Sequence, residues 1–160
     1  MKSATVSEIK KELGTQSPKQ LIDLCLRLSK FKKENKELLT YLLYEAVDED
    51  FYVESIKTEM DGLFEEINTS SYYFINKTIR KILRLVKKHI RISQKKETEV
   101  ELLVHFCMKM SEITPSIFKN TKLNGLHYRT VLTIEKSLST LHEDYQFDYR
   151  DKLIQLNENQ

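Results

Sequence analysis

Apolar residues recur along this chain at steps of three and four, the spacing that brings side chains onto one face of an α-helix. Ile9 and Leu13 form the first such pair, behind the capping-box pattern Thr5-Val-Ser-Glu8, and Gly14 stands where a helix stops. A second box, Ser17-Pro-Lys-Gln20, opens a helix expected to bury Leu21, Leu24, Cys25, Leu28 and Phe31. A third helix is predicted from near Asn35 through Leu38, Leu39, Leu42, Leu43 and Ala46. It is apolar around much of its circumference, a pattern that points to a central helix. Asp48 caps a fourth helix with the stripe Tyr52, Val53, Ile56, Met60, Leu63, Phe64 and Ile67, which Asn68 to Ser71 breaks. A long fifth helix runs from about Ser71 to Ser93, and a break follows at Gln94 to Thr98. The next helix passes through Val100, Leu103, Val104, Cys107 and Met110 and ends at Thr114-Pro115, because the residue before proline avoids the α region. Ser116 to Phe118 fits a single turn, and Asn120 to Gly125 is the richest loop signal. The last long helix carries His127, Val131, Ile134, Leu138, Leu141 and Tyr145, and a short amphipathic piece, Tyr149 to Leu156, precedes a frayed end at 157–160.

The expected fold is therefore all-α, seven to eight helices joined by short loops in a single domain over 1–160. It is either a compact bundle or a HEAT-like antiparallel stack. Composition agrees. Three Gly and two Pro in 160 residues are too few for the frequent turns of a sheet protein. Met1 to Leu13 lacks the apolar core of a secretory signal. The longest near-apolar stretch, Leu38 to Leu43, is far short of the roughly 20 residues of a membrane span. The cytoplasm is the expected setting. There Cys25 and Cys107, each set among Leu, Phe or Met, read as small core residues, and the glycosylation patterns at Asn68 and Asn76 carry no meaning.

Charge changes the picture more. The net charge is only +2, yet nine of the residues from Asn76 to Lys96 are Lys or Arg with no acid among them, while Glu45 to Glu66 holds nine acids and one Lys. With about 100° per residue, Lys77, Arg80, Lys81, Arg84, Lys87, Lys88, Arg91 and Lys95 all fall within about 60° of the direction opposite Ile75. Ile79, Ile82, Leu83, Val86 and Ile90 share the face of Ile75. These eight cations span about 27 Å of helix and are the candidate binding residues. Four readings suit such a stripe: a solvated face or one matched by the acidic helix, a docking surface for an acidic protein, a nucleic-acid contact, and a membrane surface. Asp50, Glu54, Asp61 and Glu65, on the outer side of the acidic helix, are expected to pair with it. Tyr72-Tyr73-Phe74 at its start reads as packing, although base stacking also uses aromatics beside cations.

Chemistry is sparse. His89, His105, His127 and His142 are scattered, and His105 and Cys107 lie about 200° apart on a helix, so they do not share a metal. No HExxH, CxxC or Glu-x-x-His pattern, Gly-rich phosphate loop or nucleophile elbow occurs. His142 reads as a cation at a helix C-terminus. Tyr41, Tyr44 and Tyr52 read as half-buried packing rather than a binding face. No catalytic residue, metal, cofactor or small-molecule site is expected. The reading is a protein-interaction or scaffold module presenting a basic helix, with nucleic-acid binding by the same face as the alternative.

Ile9-Lys-Lys-Glu-Leu13, Ser17-Pro-Lys-Gln-Leu-Ile-Asp-Leu24 and Phe31-Lys-Lys-Glu-Asn-Lys-Glu-Leu-Leu39 resemble the opening of a bacterial all-helical family of unknown function. The likeness covers about the first 40 residues. It implies an α-helical fold of about this length and assigns no catalytic or binding residue.

Overall fold

The computed structural model describes residues 2–158. Eight α-helices and no strand occur among them: α1 Val6–Leu13, α2 Pro18–Phe31, α3 Lys33–Thr40, α4 Glu49–Glu65, α5 Tyr72–Ser93, α6 Lys96–Ser111, α7 Thr121–Leu138 and α8 Glu143–Glu158. A π-helical stretch, Tyr41–Glu45, follows α3, and a 3₁₀ turn, Ile117–Lys119, precedes α7. The chain divides into two compact units, Met1–Tyr44 and Glu45–Gln160.

In the first unit both capping boxes form. The Thr5 and Ser17 hydroxyls accept from the amides of Glu8 and Gln20, whose side chains accept in return from the Thr5 and Ser17 amides at 2.7 and 2.8 Å. Each box satisfies two amides that a helix start leaves orphaned. Asn35 donates to the Leu28 carbonyl at 2.9 Å, tying the end of α2 to the start of α3. Here the expected packing is not found. None of α1, α2 or α3 buries a residue. Phe31 is 77% exposed, and Leu24, Cys25, Leu28, Leu38, Leu42 and Leu43 are exposed as well. Three short helices have too little mass to enclose one another's apolar faces, so α3 is not a central helix.

The second unit is a bundle built on α6, which packs against α4, α5, α7 and α8. A helix with four neighbours is not an element of a stack whose units touch only the next in line. Eight of its residues are buried around its circumference, among them Thr98, Leu102, Phe106, Cys107 and Met110. α5 contributes the predicted stripe: Ile75, Ile79, Ile82 and Val86 are fully enclosed, each worth roughly 2 kcal/mol of burial. α4 adds Tyr52, Val53, Ile56 and Met60. The Tyr52 hydroxyl lies 2.7 Å from His89 Nδ1, so this tyrosine is core, while Tyr44 is exposed.

The C-terminal elements depart from the expected boundaries. Asn120 is a cap, not loop: its side chain accepts from the amides of Lys122 and Leu123, both at 3.2 Å, and Asn124 and Gly125 lie inside α7. α7 stops at Leu138, and Tyr145 belongs to α8. His142 stands before α8, where its Nδ1 accepts from the Asp144 amide at 3.3 Å. It caps a start rather than complementing an end. α8 is a full helix containing Asn157 and Glu158, whereas 159–160 lie outside the described residues.

Candidate anion-binding face

α5 enters from Ser71, whose side chain makes no cap bond, and leaves through Gln94 in the left-handed region at φ 60°. Its isoleucine-rich face is pinned to the bundle, so the opposite face must look outward. Lys77, Arg80, Lys81, Arg84, Lys87 and Arg91 are exposed, and Lys88 is half-buried. Lys95, expected on the same stripe, is exposed but lies past the left-handed Gln94 as the N-cap of α6, so it is not part of the α5 face.

The acidic helix does not neutralise this stripe in the way its position along the chain suggests. Glu49 reaches Lys95 at 3.0 Å. Its Oε1 also accepts from the hydroxyls of Ser93 and Thr98, both at 2.5 Å. Lys57 and Asp61 of α4 turn toward α6. Lys57 bridges Glu54 at 2.7 Å and Glu101 at 3.6 Å. Asp61 lies 2.6 Å from His105 Nε2 and 3.7 Å from Lys109. Asp50, Glu54, Asp61 and Glu65 therefore make no pair with α5 among the described residues, contrary to the expected flanking arrangement. The reason is rotational: the helix turn that buries Ile56 and Met60 sets Asp61 over α6. Among the described residues Lys77, Lys81, Arg84, Lys87 and Arg91 form no ion pair, and Arg80 is held only by its Nε donating to Asn76 Oδ1 at 2.8 Å.

At its N-terminal end the stripe runs into a cleft of about 850 Å³ between the first three turns of α5 and the first turn of α7. Tyr72, Tyr73, Asn76, Lys77 and Arg80 line one wall, and Asn120, Thr121 and Lys122 line the other. Among the described residues no carboxylate is in either wall. The Tyr72 hydroxyl donates to the Ser116 carbonyl at 2.9 Å, which fixes that ring. Tyr73 is 70% exposed, and Phe74, 41% exposed, meets it edge-on at 5.3 Å between centroids. The aromatic cluster expected to pack is thus largely turned outward. Lys122 was not singled out by sequence, because its neighbourhood with Arg80 is made by the packing of α7.

Other titratable groups are buried elsewhere in the second unit. His127 is fully enclosed, with Nε2 3.3 Å from the Ser111 hydroxyl and Nδ1 lacking a partner. Burial holds its pKa below the ordinary histidine range. Burial likewise raises the Cys107 thiol well above its usual range. The stacked Tyr145 and Tyr149 rings are 5.0 Å apart. Burial raises both hydroxyls, with Glu101 adding to the effect. Among the described residues no group of three or more His, Cys, Asp or Glu could hold a metal, and no helix is long and apolar enough to cross a membrane.

Compared with known proteins, the chain matches no family model, no curated protein and no solved structure.

Proposed function

We propose that this protein is a helical binding module, acting in the cytoplasm, whose α5 face docks an acidic segment of a partner protein. The observation that supports this reading is that, among the described residues, Lys77, Arg80, Lys81, Arg84, Lys87 and Arg91 on one exposed helical face form no ion pair, while Glu54 and Asp61 of α4 pair with Lys57, His105 and Lys109. From Lys77 to Arg91 the face runs for about 21 Å, which suits a short acidic helix or extended segment. Unmatched charge on such a face steers encounter and sets specificity. A longer polyanion would meet the nine acids between Glu45 and Glu66, and the whole chain carries only +2. The module binds and performs no chemistry of its own.

The test is capture. A Glu/Asp-rich peptide and nuclease-treated native lysate are offered to the wild type and to the Arg84→Glu, Lys87→Glu, Arg91→Glu variant, which leaves the cleft intact. Capture of both should fall steeply with salt and vanish in the variant, with thermal unfolding nearly unchanged. Intact capture by the folded variant would sink this function. A second reading, single-stranded nucleic acid on the same face, is favoured by the exposed Tyr73 ring beside Lys77 and Arg80. It predicts a salt-sensitive gel shift at micromolar protein, and capture lost on nuclease treatment.

A further inference from the structure

We propose that the cleft between α5 and α7 is a binding site for a small ligand that joins a planar aromatic ring to a phosphate, the class of the nucleoside phosphates. Its volume of about 850 Å³ is in the range of small-molecule sites, roughly 300–1,000 Å³. Its chemistry is one-signed: Lys77, Arg80 and Lys122 converge on it from two helices, and no wall residue is acidic. Among the described residues Lys77 and Lys122 make no ion pair or side-chain hydrogen bond. Arg80 spends only its Nε, on Asn76 at 2.8 Å. That bond steers the guanidinium and leaves its terminal nitrogens able to take a phosphate with two parallel donors.

Lys122 is the most telling of the three. It is the second residue of α7, where the helix dipole disfavours a cation. In the second unit α4, α6 and α8 each carry two acids in the first turn, while α5 and α7, the two helices that open onto the cleft, carry none. Three cations and two positive helix ends around one opening repel one another, and an anion with two or more charges relieves that repulsion. Tyr73 supplies the second half of the recognition. Its ring is 70% exposed at the rim, with Phe74 at its edge. An exposed aromatic face beside cations stacks on a planar base. Asn120 commits its Oδ1 to the α7 cap, so its amide nitrogen remains as a donor at the cleft wall. The site stands whether or not the remainder of the α5 face takes an acidic protein.

Calorimetric and NMR titration of the full chain with ADP, GDP, CDP and UDP, and separately with adenosine and inorganic phosphate, tests this. At least one nucleoside diphosphate should bind, with adenosine and phosphate each at least about tenfold weaker, since each carries half of the recognition. Tyr73→Ala and Arg80→Gln, both surface changes whose folding is checked by circular dichroism, should each weaken binding about tenfold. Arg91→Gln, at the far end of the stripe, should leave it unchanged. Absence of binding up to about 5 mM, indifference to both cleft variants, or equal weakening by Arg91→Gln would overturn the proposal. So would binding of single-stranded oligonucleotides without any binding of the diphosphates.

Discussion

Glu49 holds three elements together through one carboxylate, and its removal is the sharpest perturbation of the fold. Its side chain is 16% exposed. Oε1 accepts from Ser93 at the end of α5 and from Thr98 in the first turn of α6, and Oε2 faces Lys95 between them. Glu49→Ala strands two hydroxyls on residues that are 8% and 1% exposed. An unsatisfied buried hydroxyl costs about 1–3 kcal/mol, less where it can rotate to another acceptor. The Lys95 pair adds only a few tenths, because that ammonium is 45% exposed. The expected loss is about 2–4 kcal/mol. Urea unfolding followed by circular dichroism reads it as a fall of about 1–2 M in midpoint at unchanged slope, for a slope near 2 kcal/mol/M. Glu49→Gln keeps an acceptor at the same place and should lose about 1 kcal/mol. The double variant Glu49→Ala/Thr98→Val should lose less than the sum of the two single losses, with coupling of about 1 kcal/mol. A Glu49→Ala stability within about 0.5 kcal/mol of the wild type, or equal damage from Glu49→Gln, would refute the latch.

Burial depresses the His127 pKa, so the folded state holds a neutral ring where the unfolded chain takes up a proton. Stability should be intact above the ordinary histidine value and fall by up to about 1.4 kcal/mol per pH unit below about 6.5, and the extra slope should be missing in His127→Gln in urea melts from pH 8 to 5. Gln94 carries a positive φ of 60° at the end of α5, a conformation that suits glycine, so Gln94→Gly should raise the urea-derived stability by about 0.5 kcal/mol. Cys25 is exposed and Cys107 buried. A thiol reagent should therefore label one cysteine quickly, and label the second at the rate of unfolding. Simultaneous labelling of both would contradict the enclosure of Cys107.

The all-helical fold and the faces of α4 and α5 were legible in the chain, because helical periodicity is local: Ile75, Ile79, Ile82 and Val86 recur at the spacing that makes one stripe whatever it packs on. The stripe expected on α6 missed Thr98, Leu102 and Phe106, because a helix enclosed on every side has no single face. The capping boxes at Thr5 and Ser17 and the cap at Asp48 were legible for the same reason, since each closes within three residues. Asn120 misled, because Asn, Thr and Gly mark loops and helix starts alike. So did Cys25 and Leu28, because amphipathic spacing announces a face without supplying its cover.

The shared direction of the seven cations on α5, Lys77 to Arg91, is a property of the sequence alone: residues on one side of a helix must share a side. Lys95 drops out because α5 ends at Ser93. Whether those cations are matched is not, because it depends on how neighbouring helices rotate about their axes. Packing turned Asp61 toward His105 and Lys109, kept Glu49 for Lys95 and, among the described residues, left Arg84, Lys87 and Arg91 without an ion pair. Packing also set Lys122 across a cleft from Arg80, 42 positions away in the chain. Contacts of that separation carry no local signature, and only the tertiary structure decides them.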